Sequence, residues 1–178
     1  MLDFKPLTIE IFPQIRRYLD GCSYRISAYS FAYKIMWKYY YRAEYVISCG
    51  CLIYKNSIFG RKICFNYPIP LDKNADEKAA LQEIENYCVE KYSLPVFIDV
   101  PQEKIHFLTE KYYFLNISED RNFDEYLYNA EDFRTFSGKK YAGQRNHVHK
   151  FTSLYPTAEF RPLTPKDKPL IKAFFKSY

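Results

Sequence analysis

The chain has 178 residues and a formal net charge of +5, and hydrophobic residues make up 48% of it. Domains usually contain about 100–200 residues, so this length predicts one full domain plus a remainder. The mild positive charge permits an anionic partner without requiring one. The five cysteines show no Cys-x-x-Cys spacing, which argues against a disulfide framework and against a zinc site. We therefore expect neither a metal nor a cofactor.

The N-terminus carries acids and prolines instead of the apolar core of a signal peptide. The longest apolar stretch, residues 45–54, is far shorter than the roughly 20 residues that cross a bilayer. We therefore expect a cytoplasmic protein without a transmembrane segment.

Two helices are expected first. Thr8 is a candidate N-cap for a helix that ends near Leu19. A second helix is predicted over residues 29–41 from the spacing of its apolar side chains. Its predicted buried stripe, at i, i+4 spacing, consists of Phe31, Ile35 and Tyr39.

The hydrophobic period then changes from helical to extended. Residues 45–54 and 62–69 are rich in β-branched and aromatic side chains and predict two antiparallel strands joined near Gly60. Cys49 and Cys51 are two positions apart in the first of these runs. Both are therefore expected to face the same side of the sheet.

A β-α-β pattern follows. Residues 76–92 predict an amphipathic helix, residues 95–100 a short buried strand, residues 101–111 another helix, and residues 113–128 further strand. The order ααββαβαβ predicts an α+β domain, a mixed sheet flanked by helices, which is complete at about residue 128. The acyltransferase fold called GNAT has the same order. This order alone does not single out that fold, and its Gly-rich acyl-CoA loop is missing from a chain with five glycines, so residues 1–128 should not bind acetyl-CoA in the usual way.

Acidic and basic residues are most clearly separated along the sequence between residues 119 and 158. Residues 119–132 hold six acids and one arginine, whereas residues 138–158 contain no acid. Asn129 can cap a short helix, and Ser137 can cap a second, basic helix that runs from about residue 138 to 154. The candidate anion- or RNA-binding residues of this connector are Lys139, Lys140, Arg145, Asn146, His147 and Lys150.

The inward stripe of the basic helix is predicted to contain Tyr141, the stem of Arg145, Val148, Phe151 and Tyr155. His147 and His149 are two positions apart and do not face each other on a helix, so they do not form a metal pair. On charge alone, a solvated helix face that joins two domains is the favoured alternative to nucleic-acid binding.

The sequence at the start of the chain recurs near its end. Residues 2–19 and 158–175 are similar at a constant offset of 156, with six identical positions. The identical pairs are Phe4/Phe160, Pro6/Pro162, Leu7/Leu163, Thr8/Thr164, Pro13/Pro169 and Ile15/Ile171. Such a period predicts a duplicated domain. Residues 129–156 would then be a basic connector, and residues 157–178 would open a second, incomplete repeat with one strand and one helix. A chance recurrence of an extended segment, a Thr cap and a helix is the alternative.

Over its whole length, and most specifically in the connector, the chain resembles the C-terminal-domain family of phosphatidylglycerol lysyltransferases, whose small soluble members form a bacterial family of unknown function. The residues that carry the resemblance are Ser137, Gly138, Lys139, Lys140, Tyr141, Arg145, Asn146, His147 and Phe151, preceded by Tyr126 and Phe136. The start at Asp3 and the aromatic run from Tyr29 to Trp37 are also similar to that family. Gln144 stands where the family has a basic residue, and His149 stands where Asn is frequent.

The resemblance implies two tandem GNAT-like domains, the first, over residues 1–128, degenerate and the second carrying most of the acyl-transfer groups. In the better-understood relatives an aminoacyl group moves from tRNA to a lipid or peptide. We therefore expect an acyl- or aminoacyltransferase homologue whose partner is aminoacyl-tRNA or another anionic carrier. This chain would be its non-catalytic N-terminal half, ending early in the second domain and inactive alone, and its sequence identifies no catalytic residue.

Two other interpretations stay open. The chain could be a non-enzymatic binding module for an anionic partner, either RNA or a phospholipid head group, or a truncated product without a separate role. Residues 158–178 have an apolar face with no predicted partner in the chain. That face predicts a homodimer or a disordered tail.

Overall fold

The computed structural model describes residues 2–58 and 62–177. The chain divides into two compact units, Met1–Glu125 and Tyr126–Tyr178. The strands of the first unit are β1 (Lys5–Pro6), β2 (Glu44–Ser48), β3 (Cys51–Ile58), β4 (Lys62–Asn66), β5 (Ile69–Pro70) and β6 (Phe97–Ile98). Its α-helices are α1 (Phe12–Asp20), α2 (Phe31–Tyr41), α3 (Glu77–Glu90) and α4 (Gln102–Lys111).

The strands form one mixed sheet in the order β1-β2-β3-β4-β6, and β5 pairs with β3. β4 and β6 are parallel and are connected through α3, whereas the other pairs are antiparallel. A parallel pair needs such a crossover, and the amphipathic sequence of α3 supplies it. The predicted α+β class, a mixed sheet flanked by helices, is confirmed, and so is the antiparallel pairing of β3 with β4. Gly60, expected in the turn between them, lies outside the described residues.

The predicted strand over residues 45–54 is instead a hairpin. Ser48 pairs with Cys51, so Cys49 and Gly50 form a two-residue turn between β2 and β3. Both turn residues have positive φ angles, 51° and 73°, as a tight turn between two twisted strands requires. The expectation that Cys49 and Cys51 face the same side was wrong, because Cys49 lies in the turn while Cys51 is fully buried in β3.

The helices of the first unit begin and end close to their predicted positions. A 3₁₀ turn, Ile9–Ile11, precedes α1, and the Ser30 side chain caps α2 by accepting a hydrogen bond from the Tyr33 N–H at 3.2 Å. The predicted buried stripe of α2 was wrong at Tyr39, which is 85% exposed. Lys34 is buried on the inner face of α2 instead, because polar groups of the sheet receive its ammonium.

The core of the first unit lies between the sheet and its helices. It is rich in aromatic side chains, and its largest fully buried residues are Tyr18, Tyr54, Tyr67, Phe65, Ile15, Leu52, Ile53, Ile69, Leu81 and Ile84. The inner face of α3, which the Asp76 side chain caps at the Ala79 N–H, contributes Ala80 and Cys88 as well. Burial of this apolar surface is the main favourable contribution to folding of the unit.

Residues 113–128 were predicted to contain a strand and do not. Tyr113 and Phe114 are 96% and 95% exposed, and the segment contains one 3₁₀ turn, Arg121–Phe123. A strand is stabilised by pairing and by a covered face, and neither is available to this segment.

The second unit contains α5 (Ala130–Thr135), α6 (Ala142–Leu154) and α7 (Lys168–Lys176). The Asn129 side chain caps α5 by accepting from the Glu131 N–H at 3.0 Å, as predicted. Ser137 does not cap the basic helix, because positive φ angles at Phe136 and Gly138 turn the chain before a 3₁₀ turn, Lys139–Tyr141, leads into α6. The strand expected at the start of the second repeat is also missing from residues 157–164, which have no strand to pair with.

Candidate functional site

The basic segment of the second unit is held in place by α5. The Asp132 carboxylate, on α5, accepts hydrogen bonds from Tyr141 Oη at 2.8 Å and from Lys140 Nζ at 3.1 Å. The hydrogen bond from Tyr141, together with the Lys140 ammonium, lowers the pKa of Asp132, and the Asp132 carboxylate raises the pKa of Lys140. Lys140 therefore anchors the segment to α5.

Arg145 also makes its hydrogen bonds within the second unit. Its guanidinium donates to the backbone carbonyl of Phe136 and to that of Gly138, the latter at 2.8 Å. These carbonyls follow the end of α5, where the helix leaves its last acceptors without intrahelical partners. Arg145 thus fixes the turn between α5 and α6, so two of the six predicted anion-binding residues already have intramolecular partners.

The other four predicted residues are exposed and make no side-chain hydrogen bond or ion pair with the described residues. We call them the basic surface: Lys139, Asn146, His147 and Lys150. Asn146 and His147 lie four and three positions before Lys150, so these three side chains share one side of α6. This surface offers ammonium, amide and imidazole groups to an acceptor such as a phosphate oxygen.

The inward stripe predicted for α6 was mostly wrong. Tyr141 and Arg145 are half-buried as expected, but Val148, Phe151 and Tyr155 are each about half-exposed or more. The reason is that α5 is only six residues long and covers the first turn of the basic segment alone. An apolar edge therefore accompanies the basic surface.

A second polar cluster lies in the first unit, where the parallel strands end. Asn66 is the last residue of β4, and Asp99 follows β6 directly. The Asn66 side chain accepts hydrogen bonds from Lys34 Nζ and from Asn56 Nδ2, the latter at 2.9 Å, and donates to Asp99 Oδ2 at 3.1 Å. Lys34, Asn56, Asn66 and Asp99 are called the polar cluster below. The carboxyl ends of parallel strands are a common place for ligands in open sheets.

Burial shapes the electrostatics of the polar cluster. Removal from water lowers the pKa of Lys34 to about 8, although the Asp99 carboxylate opposes that change. Burial raises the pKa of Asp99, against the effects of Lys34 and of its hydrogen bond with Asn66. The Lys34 ammonium also lies 4.9 Å from the centre of the Tyr54 ring, which favours its charged form.

The backbone around Asp99 is held in an uncommon conformation. Asp99 has a φ of 52°, in the left-handed region, and its carbonyl accepts a hydrogen bond from Tyr29 Oη at 3.0 Å. The same Tyr29 oxygen accepts from the Tyr67 N–H at 3.1 Å. Left-handed residues other than glycine are concentrated at functional sites, since such a conformation persists where its surroundings fix it. The cluster thus links an ammonium to a carboxylate through the Asn66 side chain, at the carboxyl ends of the parallel strands.

The sequence did not point to this cluster. Lys34 interrupts the inner face of α2, and helical periodicity assigns a lysine to solvent. Asn56 and Asn66 were the available signal, because an asparagine inside an otherwise apolar strand needs a partner when it is buried. No tripeptide or spacing joins residues from four different elements.

Among the described residues, no helix is long and apolar enough to cross a membrane. Comparison with curated proteins gives no match. The fold is similar to that of a solved structure, a conserved protein of unknown function from Bacteroides thetaiotaomicron VPI-5482, with a TM-score of 0.85 and 24% identity. The match covers 99% of this chain and 59% of that one, so the chain spans less than two thirds of its neighbour's length. The model of the family described as phosphatidylglycerol lysyltransferase, C-terminal, matches residues 22–176, and the chain belongs to that family.

Proposed function

We propose that the chain is the RNA-binding, non-catalytic part of an acyl- or aminoacyltransferase of the aminoacyl-tRNA-dependent type. Membership of a lysyltransferase family supports this reaction class. The observation that carries RNA binding is the basic surface on α6. Its four side chains are exposed and without partners among the described residues, and no acid occurs between residues 138 and 158.

The chemistry of this surface suits a phosphate backbone. Two ammonium groups neutralise phosphates and release their counterions, and this release provides much of the affinity of proteins for nucleic acids. Asn146 and His147 add hydrogen-bond donors at fixed positions between the lysines. Lys140 and Arg145 contribute by holding the segment, through Asp132 and the carbonyls after α5, in the conformation that presents those donors.

The architecture in this proposal has three parts. Residues 1–128 are a degenerate GNAT-like domain, residues 129–156 a basic connector, and residues 157–178 the opening of a second repeat that carries the transfer chemistry. The parallel β4/β6 pair with its α3 crossover supports the first part. The greater length of the matched Bacteroides protein supports a continuing repeat. In this chain alone, the apolar side chains of residues 158–177 would make a homodimer contact.

The test is tRNA binding by the full chain at several salt concentrations. We expect the affinity to fall steeply with salt, and we expect Lys139→Glu with Lys150→Glu to abolish most of it. Each phosphate-contacting lysine contributes about one to the slope of log affinity against log salt. The matched control is Lys73→Glu, which changes an exposed lysine of the first unit that makes no described ion pair and should leave binding unchanged.

Equal losses in the control and in the double variant would contradict a specific role for the basic surface. The same preparation, supplied with aminoacyl-tRNA and an amine acceptor, should bind the tRNA without transferring its acyl group. Acyl transfer by this chain would contradict the assignment of the chemistry to the second repeat.

The alternative is a non-enzymatic module for a phospholipid head group. The exposed apolar edge of α6, with Phe151 and Leu154 beside Lys150, favours it, because a helix that lies on an anionic bilayer needs both kinds of side chain. Co-sedimentation with vesicles containing phosphatidylglycerol separates the two proposals. Binding to vesicles and not to tRNA, lost in Phe151→Ser, would select the lipid.

A further inference from the structure

Helix α2 presents a set of aromatic rings to solvent. We call this set the aromatic face, and its members recur at i, i+4, i+7 and i+8: Tyr33, Trp37, Tyr40 and Tyr41. Trp37 and Tyr40 are 43% and 55% exposed, and Met36 and Tyr39 beside them are more exposed still. An exposed patch of large side chains on one helix indicates a binding surface.

The rings support one another through their edges. The Trp37 and Tyr40 ring centres are 5.9 Å apart at an interplanar angle of 73°, and those of Tyr40 and Tyr41 are 4.9 Å apart at 89°. An edge-to-face pair places the edge of one ring against the face of the other, so flat ring surface stays uncovered. Trp37 also contacts the Tyr33 and Tyr41 rings, with ring centres 6.3 Å away in each case, and still keeps 43% of its surface exposed.

Basic side chains lie near the C-terminal end of the aromatic face, whereas the carboxylates of Asp99 and Glu125 interact electrostatically with Tyr33 near its N-terminal end. Residues 21–43 contain four basic residues and no Asp or Glu, and one of the four, Lys34, is buried. Arg42, which ends α2, is exposed and makes no side-chain hydrogen bond or ion pair with the described residues. Lys38 lies 4.8 Å from the centre of the Tyr39 ring and interacts electrostatically with Glu10. Flat rings beside a free guanidinium and an ammonium match a polyanion that carries unpaired bases.

We propose that the aromatic face binds single-stranded RNA, with bases stacked on Trp37 and Tyr40 and phosphates against Arg42 and Lys38. Stacking on aromatic side chains next to a basic groove is the general way in which proteins hold single strands. This inference rests on the proposed RNA-dependent function and gives the two surfaces separate ligand groups. The basic surface would take backbone phosphates, whereas the aromatic face would take unpaired bases.

A lipid surface matches the aromatic face less well than single-stranded RNA does. A helix on a bilayer buries a face of Leu, Phe and Trp. Three of the four rings here carry a hydroxyl instead, and the exposed aliphatic neighbour on α2 is Met36. Tyrosine and tryptophan rings are also common at membrane interfaces, so the argument against a lipid rests on the lack of further exposed aliphatic side chains on α2 beside Met36.

Trp37 is the only tryptophan in the sequence, so its fluorescence reports directly on this surface. The full chain is titrated with single-stranded riboadenylate of about ten nucleotides, a length within the usual site size for such proteins. We expect Trp37 emission to be quenched, and we expect an abasic strand of equal length to leave it unquenched. Equal binding of both strands without quenching would overturn the proposal.

Variants separate stacking from charge. Tyr40→Ala should weaken riboadenylate binding roughly 5- to 100-fold, whereas Tyr92→Ala, which removes a fully exposed tyrosine elsewhere in the unit, should not weaken it. Lys73→Glu, which changes an exposed lysine of the first unit outside both surfaces, should leave the quenching at saturation unchanged. If tRNA still binds through the basic surface but Trp37 is never quenched, the proposed function stands and this inference fails.

Two further readouts identify other occupants of the aromatic face. A blue shift of Trp37 emission with phosphatidylglycerol vesicles, in the absence of quenching by RNA, would overturn the proposal in favour of a lipid surface. A blue shift that grows with protein concentration alone would overturn it in favour of a second copy of the chain.

Discussion

Residues 2–21 and 158–177 are the same local structure in two environments. The 3₁₀ turn Ile9–Ile11 and helix α1 correspond to the 3₁₀ turn Pro165–Asp167 and helix α7, each displaced by the offset of 156. The backbone agrees at the entry to the turn, where Thr8 has φ −126° and ψ 165° and Thr164 has φ −118° and ψ 165°. It agrees again at the helix ends.

Burial separates the two segments. Leu7 is 2% exposed and Leu163 is 71% exposed, although each is the leucine of a Pro-Leu-Thr sequence. Lys5–Pro6 pairs with β2 as an edge strand, whereas the equivalent residues 161–162 form no strand. Thr8, the predicted N-cap, makes no side-chain cap hydrogen bond, so the turn and the helix recur in both segments without a shared cap, while a strand and a core position require the sheet.

The largest expected difference between the segments is at their shared isoleucine. Ile15 is fully buried, so Ile15→Ala should lower the free energy of unfolding by about 2–5 kcal/mol, through lost burial and the cavity left behind. Ile171 is only half-buried, and Ile171→Ala should lower it by less than about 1 kcal/mol. Urea unfolding followed by circular dichroism measures both, and equal losses would show that residues 158–177 are packed as tightly as residues 2–21.

The contrast extends to a charged side chain that α2 buries against the sheet. Burial holds the pKa of Lys34 at about 8 in the folded chain, below its ordinary value of 10.5. Between these values the unfolded chain binds the proton more tightly, so the stability that depends on Lys34 rises with pH through this window. We expect the unfolding free energy of the wild type, relative to Lys34→Met, to rise by roughly 2 kcal/mol between about pH 8 and pH 10.

The matched control for this titration is Lys172→Met on the exposed surface of α7. Its difference from the wild type should stay flat over the same pH range, since the buried tyrosines that ionise in the unfolded chain are common to both proteins. A flat profile for Lys34→Met as well would mean that water reaches the polar cluster and leaves Lys34 charged at no cost.

What could be predicted from the sequence follows the same division between local and tertiary effects. Helices α1, α3 and α4 and the Asn129 cap were predicted because their signals lie within a few residues. The turn at Cys49 was missed because cysteine is not a usual turn residue and only the pairing of β2 with β3 requires its positive φ. The strand expected over residues 113–128 failed for the opposite reason, since its apolar residues have no partner strand.

In the candidate site, too, the location of the residues was predicted and their tertiary contacts were not. All six candidate residues of the connector lie on or beside α6, as the charge pattern indicated. The pattern could not show that Lys140 pairs with Asp132 and that Arg145 donates to carbonyls after α5. Lys34 and Asp99 are 65 residues apart in sequence and meet through Asn66. Their meeting depends on the sheet order, which no local motif encodes.

The smallest expected effect concerns the one position where the second segment is better capped than the first. Asp167 replaces the equivalent Ile11, and its carboxylate accepts from the Thr164 N–H at 2.7 Å and from Arg161 Nη2 at 2.6 Å. The Arg161 guanidinium, followed by the Thr164 groups, holds the pKa of Asp167 far below its usual range. The more exposed segment thus depends more on its cap.

Asp167→Asn should therefore speed amide hydrogen exchange in α7 several-fold and leave α1 unchanged. The contribution of Asp167 is fully present above the ordinary pKa of an aspartate and is lost as the pH falls below it, because the folded carboxyl releases its proton more easily than the unfolded one. Exchange in wild-type α7 should then approach that of the variant in acid. The matched control is Asp20→Asn, whose carboxylate at the end of α1 makes only an exposed pair with Arg16. If α7 exchanges equally fast in wild type and variant at neutral pH, its helix is held by contacts other than the cap, and the two segments are more alike in their packing than their exposure indicates.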